Sequence, residues 1–330
     1  MIRGIEEVKK DILNYCKKKY DRINVISYFY NTSVLFLDII YYYLNNNKSV
    51  LYITNAPYDN IEILKIIDKE KYVYIEDGIK ENPNKINFCN YNNSLYTKTK
   101  YDLVIFDELS YIPAQSKKEM SRTMIENCKD NGTIIAYSIE PIFQRAKDIY
   151  FPSNKTRTPI IEPRIITTKI NMNEDLPLVA YDYLMWSVQL KKRTIIYVPN
   201  EEKVINVYEY MNELKDKITK NIFYFIKNKK DKSNIEKFLN SNDGILITDD
   251  YNEFQYKGLK NINIMVFFAE DKVFDYKSLV YIVSKEEIIK CYDKKEVIFL
   301  CKDENKHIDK ARKIMRQLNK KGWEEGFLKW

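Results

Sequence analysis

Short apolar runs alternate with amphipathic stretches along almost the whole chain. In the first half, Val25–Tyr30, Ser49–Thr54, Tyr72–Ile75, Tyr101–Phe106 and Gly132–Tyr137 read as strands. Val34–Asn45, Ile61–Asp68 and Ser116–Cys128 carry apolar residues at helical spacing between them. The alternation restarts after Arg164–Ile170 and a helix near Asp175–Leu190. Strands are then expected at Arg193–Val198, Asn221–Ile226, Gly244–Thr248, Ile262–Phe268 and Val297–Leu300, with helices at Glu202–Leu214, Asn234–Leu239, Tyr276–Val283 and Lys306–Lys320. Runs such as Leu103–Phe106 and Thr133–Ala136 have no polar alternation, which is what a parallel sheet covered on both faces requires. Two successive strand–helix series therefore predict an α/β protein with two doubly wound lobes. Pro152, Pro159 and Pro163, with Ser153, Asn154 and Thr158, mark a connector between them. The expected division is an N-terminal helical segment over 1–22, a first lobe over 23–155, a connector over 156–192 and a second lobe over 193–330.

Composition narrows the chemistry. The 330 residues include only seven glycines, and neither GxGxxG nor GxxxxGK[ST] occurs. A standard dinucleotide or P-loop site is thereby excluded, because such loops need glycine for left-handed backbone and close approach to phosphate. Abundant Asn, Ile, Lys and Tyr point to AT-rich codons, which deplete glycine generally. The net charge of +7 is compatible with a nucleic-acid partner without demanding one. Five cysteines (Cys16, Cys89, Cys128, Cys291, Cys301) form no CxxC pair and read as reduced thiols, with no zinc site and no disulfide framework. The start of the chain lacks a signal-peptide core. Val34–Leu44, the longest apolar stretch, contains Asp38 and is too short to span a bilayer. The expectation is a soluble, cytoplasmic protein.

The sharpest local signal is Leu103-Val-Ile-Phe-Asp107-Glu108, an apolar strand that delivers an acidic pair at its carboxyl end. In a Walker B arrangement the Asp holds Mg²⁺ and the Glu positions the attacking water. A strand-ending Asp-Glu also serves as an ordinary turn or helix cap. A phosphate loop belongs between the first strand and first helix, a slot filled here by Tyr28-Phe29-Tyr30-Asn31-Thr32-Ser33. Ala136-Tyr-Ser-Ile-Glu-Pro141 stands where helicases keep a short Ser/Thr-Ala-Thr motif. Lys191-Lys192-Arg193, Lys227-Asn-Lys229-Lys230 and Tyr41–Tyr43 have the basic and aromatic character of single-strand-binding grooves. The alternative for these is a solvated surface with half-buried tyrosines. His307, the single histidine, reads as a surface or capping residue, and Trp323 and Trp330 as docking residues of the tail.

In this order of elements the chain resembles the late-competence ComFA proteins, superfamily-two DEAD/DEAH-type helicases implicated in bringing transforming single-stranded DNA into the bacterial cytoplasm. The resemblance runs from about Val25 to Asn319 and is strongest in the second half. Gly244-Ile-Leu-Ile-Thr248 with Glu253 is similar to the family's motif V, and Ser278-Leu-Val-Tyr-Ile-Val-Ser-Lys285 stands at its motif VI. Asn263–Phe274 and the tail Glu296–Asn319 are similar to the strand and terminal helix that accompany them. The resemblance implies two tandem RecA-like lobes, each a mostly parallel sheet flanked by helices. It also implies ATP and Mg²⁺ as cofactors, single-stranded DNA and competence proteins as partners, and a place peripheral to the membrane uptake machinery.

Several stations depart from the family. Asn31 replaces the phosphate-loop lysine, and Tyr28 and Tyr30 replace its glycines; Thr32 and Ser33 are what remains of that motif. Lys285-Glu-Glu-Ile288 replaces the motif VI arginines, whose finger is typically worth ~10³–10⁵ in kcat. Phe254-Gln255 replaces the Arg-Gly of motif V, and the N-terminal four-cysteine zinc module is missing. Codon bias does not remove a lysine, whose codons are AT-rich. The departures imply a pseudo-helicase that binds single-stranded DNA, with little or no ATP and Mg²⁺ and with Asp107 and Glu108 vestigial. An active ATP-dependent translocase with a divergent pocket and a non-catalytic interaction scaffold are the alternative readings.

Overall fold

A computed structural model of the chain describes residues 4–76, 80–152, 157–251, 261–285 and 296–329. It divides into two compact units, Met1–Pro159 with Gln317–Trp330, and Ile160–Arg316. In chain order the first unit carries α1 (Ile5–Lys17), β1 (Arg22–Ile26), α2 (Leu37–Asn45), β2 (Val50–Thr54), β3 (Tyr72–Tyr74), β4 (Ile86–Cys89), α3 (Tyr91–Ser94), β5 (Tyr101–Asp107), α4 (Lys117–Asn127), β6 (Cys128–Ser138) and β7 (Lys147–Tyr150). The second carries β8 (Arg164–Thr167), α5 (Leu178–Gln189), β9 (Arg193–Tyr197), α6 (Glu201–Glu213), β10 (Ile222–Phe225), α7 (Ser233–Asn240), β11 (Gly244–Thr248), β12 (Ile262–Phe267), α8 (Tyr276–Ser284) and β13 (Val297–Cys301). The long α9 (Lys306–Glu324) starts in the second unit and ends in the residues grouped with the first.

Each unit is one sheet. The first has the order β3-β4-β2-β5-β6-β1-β7 and the second β10-β11-β9-β12-β13-β8. Every strand pair among the described residues is parallel. Strands β2 and β11 are buried at all five positions, as expected for a sheet sandwiched by helices. Helix starts follow local capping chemistry. Ser116 and Glu119 form a reciprocal capping box on α4, Asn200 caps α6, and Asp275 Oδ1 accepts from the Ser278 amide at α8. Gly132 sits in a tight spot of β6, where a Cβ would lie 2.5 Å from Cys128 Sγ and 3.0 Å from two backbone carbonyls.

Several local expectations shift. The strand expected over Val25–Tyr30 is Arg22–Ile26, because Tyr30 takes a left-handed φ of 61° and the chain leaves the sheet before it. Ile61–Asp68 forms only a short 3₁₀ turn over Glu62–Lys65, as its β-branched residues and the preceding Asp59-Asn60 disfavour an α-helix. The short strands β4 and β7 go unread by periodicity. The tail docks through Phe327 and Leu328, which are buried; the Phe327 ring meets Phe151 edge-on at 5.6 Å. Trp323 is only half-buried, and Trp330 lies outside the described residues. His307 stacks on Tyr276 while Asn305 caps α9.

One buried amide ties β1 to the loop after β6. Asn24 Oδ1 accepts from the amides of Ile142 and Phe143, both at 3.1 Å, and its Nδ2 donates to Phe143 O (2.9 Å) and Asp148 Oδ1 (2.7 Å). Asn24→Ala strands those backbone groups and is expected to cost about 2–4 kcal/mol, read as a lowered urea midpoint. A loss under about 1 kcal/mol would show that water replaces the amide without penalty.

Candidate functional site

The sheet order places β5, β6 and β1 side by side, so their carboxyl ends bring three sequence stations together. This is where open α/β sheets put ligands. The Tyr30 amide donates to Leu109 O at 2.9 Å, Tyr137 Oη to Thr32 O at 3.2 Å, and the Ser27 amide to Ser138 O at 3.0 Å. The acidic pair, the loop after β1 and the loop after β6 thus form one cluster.

Asp107 is buried and its acceptor positions are taken. Oδ2 accepts from Tyr52 Oη at 2.6 Å and from the Ser110 hydroxyl, while Oδ1 accepts from the amides of Leu109 (3.0 Å) and Ser110 (3.1 Å). A carboxylate offers roughly four lone-pair sites, and four donors occupy them. Burial raises the Asp107 pKa, with these hydrogen bonds opposing the rise. Glu108 is also buried and its amide donates to Tyr137 O.

Tyr52, in the middle of β2, donates its phenol to Asp107 Oδ2. One phenol therefore occupies an acceptor position of the first carboxylate of the acidic pair. Its own pKa is pushed well up by burial and by Asp107.

The loop after β1 is equally committed. Tyr28 and Phe29 are buried, filling with rings the space that a glycine loop leaves open. Asn31 Nδ2 donates to Ser27 Oγ (2.6 Å) and Phe151 O (3.0 Å), and its Oδ1 accepts from the Thr32 amide. Glu62 Oε2 accepts from Thr32 Oγ1 at 2.6 Å and from the Ser33 amide at 3.0 Å. A carboxylate of the chain itself thus holds donors that a phosphate would need. After β6, Ser138 Oγ donates to Glu140 O, and Glu140 pairs with Lys117 at 3.0 Å.

In the second unit Thr248 ends β11, buried, and its Oγ1 accepts from the Asp250 amide at 3.0 Å. Glu253 lies outside the described residues. Lys285 follows α8 and is fully buried. Its ammonium donates to Tyr251 O and stands 5.1 Å and 5.3 Å from the ring centroids of Tyr197 and Tyr281. Burial pushes its pKa down to about 7, with Asp250 pulling the other way.

The two basic clusters do not form one patch. Lys191–Arg193 precede and open β9, whereas Lys227–Lys230 follow β10, so in a parallel sheet they lie at opposite ends. Lys192 is buried beneath the Trp186 ring, and Arg193 Nη1 donates to Leu239 O at 2.8 Å. Lys191, Lys227, Lys229 and Lys230 are exposed; Lys227 lies over Tyr251 and Lys229 pairs with Glu201 at 3.4 Å.

Tyr52 and Glu62 were not singled out by sequence reasoning. A tyrosine inside the otherwise aliphatic Val50-Leu-Tyr-Ile run was the available signal, since a buried phenol needs a partner. Nothing local marks Glu62. Among the described residues no group of three or more His, Cys, Asp or Glu is placed to hold a metal ion. No described helix is long and apolar enough to cross a membrane.

No protein-family model matches the chain, and no curated protein does. Solved structures do. Mss116p, bound to ssRNA and AMP-PNP, is 15% identical with a TM-score of 0.53, covering 92% of this chain and 70% of its own. The Escherichia coli DEAH/RHA helicase HrpB is 9% identical with a TM-score of 0.50, covering 92% of this chain and 43% of its own. S. cerevisiae Dbp5, bound to RNA and ADP BeF3, is 11% identical with a TM-score of 0.48, covering 91% and 83%. The chain shares the fold of these structures, two RecA-like parallel-sheet lobes flanked by helices.

Proposed function

We propose that the chain is a pseudo-helicase of the late-competence type that handles single-stranded DNA during DNA uptake without turning over ATP. The observation that carries this reading is Asp107, whose two oxygens accept from the Tyr52 and Ser110 hydroxyls and from the amides of Leu109 and Ser110. In P-loop NTPases the hydroxyl that follows the lysine and the strand-ending carboxylate share Mg²⁺. Here the Thr32 hydroxyl donates to Glu62 at 2.6 Å, and the acceptor positions of Asp107 are filled by the chain. Glu62 on Thr32 and Ser33, Asn31 in the lysine position and the buried Tyr28 and Phe29 extend the argument from the metal to the phosphates. Mg²⁺ and a nucleoside triphosphate therefore do not fit the residues present. Lys285, in place of an arginine finger, is buried against tyrosines and is not directed at an external phosphate.

Single-stranded nucleic acid is the part of the helicase inheritance that needs no catalytic station. Mss116p is described with ssRNA bound, and exposed Lys227, Lys229 and Lys230 supply cationic contacts here. The tie to competence and to proteins of the uptake machinery rests on the motif order of the sequence.

Purified full-length protein is expected to show no ATP hydrolysis above background, with or without single-stranded DNA, and ATP affinity weaker than about 1 mM. Single-stranded DNA should bind, and more weakly as salt rises. Glu62→Ala releases the Thr32 and Ser33 donors but restores no lysine, so turnover should stay absent. DNA-stimulated hydrolysis that Asp107→Asn abolishes would overturn the proposal in favour of an active translocase.

A further inference from the structure

A cleft of about 320 Å³ opens at the amino-terminal end of the first sheet, the end opposite Asp107. Three segments wall it, each leading into one of the neighbouring strands β2, β4 and β3. The end of α2 gives Tyr41 and Asn45, the turn before β3 gives Lys71, and the turn before β4 gives Asn82, Asn84 and Lys85. The volume lies at the lower end of the range for small-ligand pockets, enough for a nucleoside.

The turn before β4 is held rigid from beneath. Asn87, fully buried in β4, donates through Nδ2 to Asn82 O (2.8 Å) and Lys85 O (3.0 Å), and its Oδ1 accepts from the Asn82 amide (2.9 Å). The Asn84 amide donates to Asn82 Oδ1 at 3.0 Å. A buried amide spent on fixing a surface turn keeps the wall from collapsing into the cleft. Across it stands the half-buried Tyr41 ring, with Lys71 Nζ 5.3 Å from its centroid. Lys71 also pairs with Asp68 at 3.3 Å, an exposed pair that a phosphate would compete for.

The geometry points to this cleft as a binding site for one nucleotide unit, its base on the Tyr41 ring and its phosphates at Lys71 and Lys85. An aromatic face with flanking ammonium groups is the chemistry by which single strands are held irrespective of sequence. The carboxamides of Asn45, Asn82 and Asn84 add donors and acceptors for a base edge, and Glu70 on the same wall accepts from an exocyclic amine. As a strand-binding station the inference rests on the single-strand reading above; as a nucleotide site it does not.

Fluorescence anisotropy with a labelled single-stranded oligodeoxynucleotide, beside calorimetry with a nucleoside monophosphate, separates the two. Tyr41→Ala should weaken oligonucleotide binding about 5- to 150-fold and Tyr41→Phe should restore it. A Lys71→Gln, Lys85→Gln double variant should reduce the salt slope by about 1.4. If only the monophosphate binds, and Tyr41→Ala abolishes that, the cleft stands as a free-nucleotide site and the strand-handling reading falls. Oligonucleotide binding unchanged by Tyr41→Ala, with no Tyr41-dependent monophosphate binding, overturns the cleft and leaves the strand-handling reading intact. Absence of binding in both arms overturns both.

Discussion

Asp107→Ala is expected to destabilise the first unit by about 3–5 kcal/mol, among the largest single-residue effects in the protein. The side chain is buried and collects two backbone amides, the Tyr52 hydroxyl and the Ser110 hydroxyl. Alanine leaves all four donors without their acceptor, in a place water does not reach easily. Asn is a different case. Its Oδ1 still takes both amides, and its Nδ2 can donate to the Tyr52 and Ser110 hydroxyls once these rotate to accept. Asp107→Asn should therefore cost about 1 kcal/mol or less. A raised carboxyl pKa in the folded state gives a definite sign. The folded protein takes up this proton more readily than the unfolded chain, so ionisation costs stability as pH rises through the folded pKa. The Asn variant avoids that cost and should gain on the wild type in the same window. Urea titrations of the three proteins read these differences. A metal-holding Asp107 predicts the reverse pattern, with both variants near wild-type stability and turnover lost.

Lys285→Met should stabilise the second unit near neutral pH, and the gain should vanish in alkali. Lysine titrates near 10.5 when exposed, and burial brings Lys285 down to about 7. At about 1.4 kcal/mol per unit, the charged form costs up to about 5 kcal/mol in the folded state below pH 7. The faces of Tyr197 and Tyr281 return about 0.5–2 kcal/mol each, a gain that methionine forfeits. A net advantage of about 1–4 kcal/mol for Met at pH 6–7 remains. Between the folded and unfolded pKa values the folded wild type is neutral here while its unfolded chain stays charged, so the wild type gains stability as pH rises. The advantage of Met should shrink steadily from about pH 7 to about pH 10. A difference that stays constant across that range would mean that the ammonium remains charged throughout and is fully paid back by its cage.

Both variants probe residues that the proposed function sets at the nucleotide stations of a helicase. In this chain Asp107 and Lys285 face inward, each hydrogen-bonded to neighbours of the same fold. The cleft at the other end of the first sheet shows the opposite design, a buried asparagine spent on keeping an outward-facing wall in place.

The alternation of apolar runs and amphipathic stretches determined the architecture by itself. A strand such as Leu103–Phe106, apolar on both faces, is stable only inside a helix-covered parallel sheet, so α/β lobes were legible without any tertiary information. The absence of glycine and lysine from Tyr28–Ser33 can be read directly off the chain, and both residue types serve phosphate through backbone geometry and charge. No local pattern of the tail announces that Gln317–Trp330 groups with Met1–Pro159, or that Phe327 and Leu328 are buried. Only the tertiary structure decided what the residues at those positions contact. Tyr52, Glu62, Asn24 and Asn87 act through partners between 2 and 124 positions away in the chain. A single sequence announces a residue's type and its neighbours at strand or helix spacing. It does not announce which distant donor a carboxylate will meet, because that depends on strand order, and strand order is set by how the sheet packs.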